Sequence, residues 1–382
     1  MNVLMFTNTF SPHVGGVARL IETLIPALQA RGHQVTIVAP EVNYQFTDPP
    51  NVIRVPAVQA AAADVAVPLT LPFLTKYLLA CMWGTQVDVV HSHHPFLLGD
   101  VAVTVARDRR APLVFTYHTM YEHYAHFGGF WHDAEGVILD AVGGALTVKV
   151  VSYTKHVQTI VAPSTDVVKT LRRRDVFTPI EVIPTGIPLE RFACGDGRAF
   201  RRRWGYGTDD FVVGTVSRLS QEKNLPFLAQ AITRARSVWP PAPPFRFLVV
   251  GEGPLQQQLR EQGADCVGTL QGQDLVDAYH AMDVFAFASL VETQGMVIAE
   301  ALAAGVPVAA VDAPGVRDVV VDRVNGRLST FSVEKLAEAI LEARNYRAAT
   351  RSSVQHLSVE NWAARIERLY QAAIAIHRVR RQ

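Results

Sequence analysis

The sequence predicts an α/β chain of two doubly wound, Rossmann-like domains with parallel sheets, and three observations carry that expectation. At 382 residues the chain exceeds the length at which one hydrophobic core stops growing. Short apolar runs alternate with helical patterns along most of it, the rhythm of repeated β-α-β units. Hydrophobic residues make up 49% and charged residues 19%, the balance of a well-packed globular protein.

The opening forty residues set the pattern. Residues 3–6 read as a strand, 7–16 as a turn and 17–31 as an amphipathic helix ended by Gly32, with a second strand at 35–39. Such a unit demands a parallel pair and a right-handed crossover. Further strands are expected at 87–91, 113–117, 159–161 and 181–183. Residues 57–83, rich in Ala, Leu and Val and broken by Pro68 and Pro72, read as a helix buried under the sheet, with an apolar membrane- or acceptor-facing patch as the other reading. The expected division is a first domain over 1–184, an arginine-rich connection over 185–204, a second domain over 205–355 and a C-terminal helix over 356–382 that packs back across the first domain. In the second domain, strands are expected at 212–216, 245–250, 266–267, 284–288, 308–310 and 326–328. Helices are expected between them, at 225–239, 253–262, 274–281, 297–304 and 316–321. Two such domains imply a cleft between facing strand ends, because open parallel sheets bind ligands beyond the carboxyl ends of their strands.

Composition excludes some classes. A formal net charge of +1 argues against a uniformly basic nucleic-acid binder. Cys81, Cys194 and Cys266 are far apart and show no CxxC spacing, so neither a disulfide framework nor a cysteine zinc site is expected, which fits a reducing cytoplasm. The first ten residues lack the features of a signal peptide, and no window reaches the roughly 18 apolar residues of a spanning helix. Ten of the thirteen histidines precede residue 184, but His91-x-His93-His94 lacks the i, i+4 spacing of a helical metal pair and no HExxH occurs, so no metal site is expected. The clusters Arg172 to Arg174, Arg201 to Arg203 and Arg378 with Arg380 and Arg381 read as solvated faces or as contacts for anionic lipid head groups.

Chemistry concentrates between Ser289 and Ala310. Glu292 and Glu300 have seven residues between them, and Gly295 opens an Ala-rich helix that runs to Gly305, with Pro307 barring continuation. The first amides of that helix, at Gly295, Met296 and Val297, form an anion cradle, while the acids accept hydrogen bonds from neutral hydroxyls. An anion beside hydroxyls describes a sugar nucleotide. Glu300 lies about five residues past the helix start, roughly 7 to 8 Å along the axis, a phosphate-to-ribose reach. Arg218 and Lys223 follow the strand ending at Val216, where a guanidinium and an ammonium can hold a diphosphate. His118 directly follows the strand at 113–117 and reads either as a sugar-hydroxyl partner or as a histidine satisfied within its loop. Gly15-Gly16 in the first β-α turn reads either as a tight turn or as an opening for backbone amides to approach a phosphate.

These residues together resemble the retaining glycosyltransferases of family 4, with the GT-B fold. The likeness rests on the Gly15-Gly16 turn, the Arg218 to Lys223 spacing, Val250-Gly251-Glu252-Gly253-Pro254, and the run from Glu292 to Glu300 with Gly305 and Pro307. Within the family, Leu97-Leu98-Gly99 after His93-His94-Pro95, the stretch from Phe115 to Tyr121 with Tyr124 and His126, and Glu292-Thr293-Gln294-Gly295 resemble the diacylglycerol α-glucosyltransferases. Gln294 stands where the commoner family form has Phe.

The resemblance implies a catalytic set of His118, Arg218, Lys223 and Glu292. It implies a donor site of Gly15, Gly16, Arg218, Lys223, Gly268, Leu270, Glu292, Gly295, Met296, Val297 and Glu300, and acceptor contacts at His13, Tyr117, Tyr121, Tyr124 and His126. Glu292 would bind donor-sugar hydroxyls, Glu300 the ribose hydroxyls, and the two cations the diphosphate. The implied reaction moves a hexose, glucose from UDP-glucose, to a lipid hydroxyl such as diacylglycerol, at the inner face of the cell membrane. No metal, cofactor, nucleic acid or obligate protein partner is implied. Two other readings remain at this stage: a GDP-mannose-dependent mannosyltransferase acting on a phosphoinositide or polysaccharide, and a sugar-nucleotide epimerase of the same architecture.

Overall fold

In the computed structural model, the described residues are 1–12, 15–42, 47–60, 65–69, 75–76, 78, 80, 84, 86–120 and 136–380. Contacts divide the chain into two units, the first Met1–Gly186 with Val359–Gln382, the second Ile187–Ser358.

The first unit begins with β1 (Asn2–Phe6), α1 (Gly16–Ala30) and β2 (Gln34–Pro40), followed by β3 (Val52–Val55), β4 (Ala57–Ala60) and β5 (Val65–Pro68). Next come β6 (Val89–Ser92), α2 (Leu98–Asp108), β7 (Leu113–Thr116), α3 (Gly136–Thr154), β8 (Thr159–Ala162), α4 (Thr165–Arg173) and β9 (Ile180–Val182). Among the described residues the main sheet has seven parallel strands in the order β3-β2-β1-β6-β7-β8-β9. Its strands read as apolar runs because both faces are covered: Leu4, Met5 and Phe6, for example, are all but inaccessible. The direction of winding reverses between β1 and β6, so the loops after Phe6 and Ser92 leave the sheet side by side.

Three features differ from the sequence expectation. Residues 57–60 and 65–68 pair as antiparallel strands, with Ala57 opposite Pro68 and Val58 opposite Val67. Val58 and Val67 are exposed, so this stretch is not a helix buried under the sheet; valine suits an extended chain better than a helix, and Pro68 ends the second strand. Further on, Thr75, Lys76, Leu78 and Ala80 are helical. Residues 316–321 form successive turns rather than an α-helix, with Val319 and Val320 amides both bonded to the carbonyl of Val316. The residues read as an arginine-rich connection belong mostly to the second unit, as α5 (Leu189–Ala193) and α6 (Gly197–Arg203). Phe192 and Phe200 lie in its core, and Arg201 binds the carbonyls of Ala281, Thr208 and Asp210 and the carboxylate of Asp283. That guanidinium is a structural staple, not a lipid contact.

The second unit continues with β10 (Phe211–Val216), α7 (Leu225–Val238), β11 (Phe245–Val250), α8 (Gln256–Glu261), β12 (Asp265–Cys266), α9 (Gly272–Ala281) and β13 (Val284–Phe287). After them come α10 (Met296–Ala303), β14 (Val308–Val311), β15 (Gly326–Ser329), α11 (Val333–Ala343) and α12 (Thr350–Ser353). Its sheet is parallel throughout, in the order β12-β11-β10-β13-β14-β15. Winding reverses between β10 and β13, which places the loops after Val216 and Phe287 next to one another although about seventy residues separate them.

The last helix, α13 (Val359–Val379), closes the first unit. Trp362, Ala363, Ile366, Leu369, Tyr370 and Ala373 recur every three or four residues and bury one stripe against Val3, Leu24, Leu28 and Val35. Glu367 beside that stripe pairs with Arg31 at the end of α1. Among the described residues no helix is long and apolar enough to cross a membrane.

Candidate active site

The strand order of the second unit brings together residues that the sequence keeps apart. Lys223 ends the turn Gln221–Lys223 after β10, and Glu292 lies in the loop after β13. Their side chains meet, Lys223 Nζ donating to Glu292 Oε1 at 2.6 Å with only 18% and 15% of the side chains exposed. Two more bonds stitch the same loops. The Asn224 amide donates to the carbonyl of Ala288 at 3.3 Å, and the Ser289 hydroxyl to the carbonyl of Glu222 at 3.2 Å. Asn224 is itself in the left-handed region (φ 54°), which turns the chain from the cationic loop into α7. Arg218 lies at the start of that loop with its guanidinium more than half exposed, and its Nε is 4.0 Å from the Glu222 carboxylate. Glu222 is held by the Ser220 hydroxyl at 2.6 Å.

Glycine is required where the Glu292 loop meets the helix. Gly295 adopts φ 68° and ψ 54° as the residue before α10, a left-handed conformation that lets the loop turn directly into the helix. Gly315, at φ 72°, lies against that loop: a Cβ there would sit 2.6 Å from the carbonyl oxygen of Glu292 and 2.9 Å from the amide of Gln294. The loop is therefore clamped from both sides. The amides of Met296 and Val297 open α10, one turn before any intrahelical carbonyl can reach them, and the positive end of the helix dipole points the same way. One turn further on, Glu300 Oε2 accepts from the Tyr279 hydroxyl of α9 at 2.7 Å. Gly268 follows β12 and pairs with Gly251 after β11, the Gly251 amide donating to the Gly268 carbonyl at 2.8 Å; Leu270 packs against the core just beyond it. Arg218, Lys223, Glu292, Gly295, Met296, Val297, Glu300, Gly268 and Leu270 thus all belong to one unit, in the loops at the carboxyl ends of its strands and the first turns of α10. A cation, a carboxylate and a helix N-terminus in that arrangement can receive a ligand with both anionic and hydroxyl groups.

The remaining expected residues that are described belong to the first unit. Gly15 is extended (φ −150°) and Gly16 is the first residue of α1, so neither needs a positive φ, and the tight-turn reading of this pair gives way. Among the described residues, a Cβ on Gly16 would meet nothing within 4 Å. His118 follows β7, its Nε2 2.9 Å from Nδ1 of His93 and the two rings stacked at 5.2 Å. Tyr117 is fully buried, edge-on to Phe115. His13, Tyr121, Tyr124 and His126 lie outside the described residues.

Sequence reasoning passed over three partners. His93, read from the sequence as part of a histidine-rich run and of the His93-His94-Pro95 likeness, is what His118 touches; among the described residues no group of three or more His, Cys, Asp or Glu is arranged to hold a metal ion. His91 bridges the Tyr370 and Thr116 hydroxyls, both at 2.7 Å, and His94 accepts from the amide of Asn8 at 3.1 Å. Burial keeps these rings neutral, taking His91 down to about 3 and His94 to about 4, while His93 and His118 are lowered by burial and by each other's neighbours. Tyr279 and Glu222 are the other two. Tyr279 had only the signature of a core residue on an amphipathic helix, and Glu222 that of a solvated charge.

Comparison with known proteins agrees along nearly the whole chain. Residues 14–191 match the family described as Glycosyltransferase Family 4, and residues 210–345 the family described as Glycosyl transferases group 1. The chain is 29% identical to an alpha-monoglucosyldiacylglycerol synthase of Streptococcus pneumoniae, over 98% of this chain and 86% of that one. It is 27% identical to a GDP-mannose-dependent alpha-mannosyltransferase of Corynebacterium glutamicum, over 97% and 88% respectively. To a D-inositol 3-phosphate glycosyltransferase of Mycolicibacterium smegmatis it is 31% identical, over 77% and 69%. Among solved structures, sucrose-phosphate synthase from Thermosynechococcus elongatus shares the fold with a TM-score of 0.79 at 20% identity, covering 98% of this chain and 99% of that one.

Proposed function

The chain belongs to glycosyltransferase family 4, and from that premise we propose that it moves glucose from UDP-glucose, with retention, onto a lipid hydroxyl such as that of diacylglycerol. The observation that carries the donor half is the Lys223–Glu292 pair, a cation and a carboxylate held at neighbouring strand ends beside the start of α10. The likeness to the pneumococcal synthase supports the sugar and the acceptor.

In this reaction the bond from the anomeric carbon to the diphosphate breaks, a bond from the acceptor oxygen to that carbon forms, and the acceptor proton leaves with the departing phosphate. Negative charge grows on the leaving diphosphate. Arg218, Lys223 and the amides of Met296 and Val297 supply fixed positive potential for it, which is more effective than mobile water because nothing must reorganise as the bond breaks. Glu292 accepts from the sugar hydroxyls and Glu300 from the ribose, with the backbone at Gly268 and Leu270 for the base. The family resemblance assigns Gly15 and Gly16 to the diphosphate and His118 to the sugar near its reacting carbon. Glu292, already engaged by Lys223, suits hydroxyl binding better than attack, so departure and attack occur on one face of the sugar without a glycosyl-enzyme intermediate. In this reading the cations and helix amides neutralise the leaving group, and neither metal nor cofactor is needed.

The likeness to the mannosyltransferase of Corynebacterium glutamicum favours a second reading, mannose from GDP-mannose onto another acceptor. One panel separates them. With diacylglycerol vesicles and either labelled UDP-glucose or labelled GDP-mannose, label is expected to enter the chloroform phase from UDP-glucose. Turnover of GDP-mannose alone would favour the second reading, and label confined to the aqueous phase would reject the lipid acceptor.

A further inference from the structure

Tyr279 of α9 reaches, through its hydroxyl, residues proposed to bind the donor. Its side chain is fully buried, with the ring edge-on to Phe192 at 5.8 Å and tilted against Phe285 at 5.9 Å. A ring fixed in this way carries its hydroxyl as a fixed donor. Oη lies 2.7 Å from Glu300 Oε2 and 3.4 Å from the carbonyl oxygen of Val297, so it touches both the acid and the first turn of α10. Burial and the neighbouring carboxylate push the phenol well above its usual range, and it remains a hydrogen-bond donor at any working pH.

A carboxylate one turn into a helix ordinarily samples several rotamers, and binding a ligand would have to halt that motion. A donor in the core removes the freedom beforehand. Tyr279 engages one oxygen of Glu300, which narrows the rotamers open to the carboxylate. A carboxylate restrained in this way suits a vicinal diol whose hydroxyls both donate, and a ribose presents such a diol. Phenylalanine would fill almost the same volume among Phe192 and Phe285, so packing alone does not explain the hydroxyl at this place.

We propose that Tyr279 is a positioning residue which, through its hydrogen bond to Glu300, sets that carboxylate to recognise the 2′,3′-diol of the donor nucleotide. The inference rests on the donor-site reading of Glu300 given above. It predicts a loss that depends on the ligand's 2′-hydroxyl, which a merely structural role does not.

The test measures binding of UDP and of its 2′-deoxy counterpart by calorimetry, or of GDP and 2′-deoxy-GDP should the donor panel select guanine. Wild type is expected to prefer the ribonucleotide by about tenfold, Glu300→Ala to lose that preference, and Tyr279→Phe to retain only about a fifth of it. At saturating donor, the kcat of Tyr279→Phe stays within about twofold of wild type while KM for the sugar nucleotide rises. An unchanged ribose preference in Tyr279→Phe, alongside its loss in Glu300→Ala, overturns the positioning role and leaves the donor site intact. Retention of the preference in Glu300→Ala overturns the reading of Glu300 itself. Tyr279→Leu, which lacks both ring and hydroxyl, must shift the preference at least as far as Tyr279→Phe; a smaller shift also overturns the role.

Discussion

Replacing Lys223 by Ala is expected to lower transfer by about 10²- to 10³-fold, the range found when one preorganised charge-stabilising donor is removed from an active site. Two effects add. The leaving diphosphate loses a cation that already stands in place, and Glu292, which that cation engages at 2.6 Å, is left as an uncompensated carboxylate beside an incoming anion. Binding of UDP to Lys223→Ala should therefore weaken. Glu292→Ala behaves differently: UDP has no sugar, so its binding is preserved or slightly tightened while transfer falls. The double variant should lose less than the sum of the two single losses, because removing the acid relieves the repulsion that removing the cation exposes. Kinetics and UDP titrations on the three variants check this. Full activity in either single variant, with the protein folded, would show that the donor site has been assigned wrongly.

Acid is expected to destabilise the first unit well before the carboxylates titrate. His91, His93 and His94 are buried at the carboxyl end of β6, and His118 follows the adjacent β7. For His91 and His94 burial lowers the folded-state pKa to about 3 and about 4, against 6.5 for a free histidine. Well above pH 6.5 neither the folded nor the unfolded chain binds the proton, and stability is unaffected. Below it the unfolded chain takes up protons that the folded chain refuses until about pH 4, so stability falls by about 1.4 kcal/mol per pH unit for each such ring. Two rings alone remove ~3 kcal/mol between pH 6.5 and 5, a large part of what a domain has. His93 and His118 act in the same direction. Urea unfolding at pH 8.5, 7.5 and 5.5 should give a midpoint that is level between the first two and lower at the third. Amide exchange should rise first in the strands around Val89–Ser92 and Leu113–Thr116. An equal midpoint at pH 7.5 and 5.5 would contradict it.

The sheets were largely legible because parallel strands buried on both faces leave mostly apolar runs such as Val212 to Val216, broken only by Thr215, and Phe245 to Val250, broken only by Arg246. The antiparallel pair at 57–60 and 65–68 was not. Its residues are apolar without a helical period, and composition alone does not separate a buried helix from an extended ribbon. Arginine-rich 197–203 read as connection because the partners that make Arg201 structural, Ala281 and Asp283, stand about eighty residues away. The same limit governs the site. Glu292, Gly295 and Glu300 share one segment and their spacing exposes their chemistry. The pairing of Lys223 with Glu292 depends on β13 lying beside β10, and the support of Glu300 by Tyr279 depends on two helices meeting across a core. Neither adjacency is encoded in any local pattern.

The central claim is retaining glycosyl transfer, and the product itself tests it most directly. Proton NMR of a reaction of the protein with UDP-glucose and diacylglycerol is expected to show UDP released in step with an α-linked glucolipid. A β-linked product, or a sugar nucleotide epimerised in the absence of any acceptor, would contradict it.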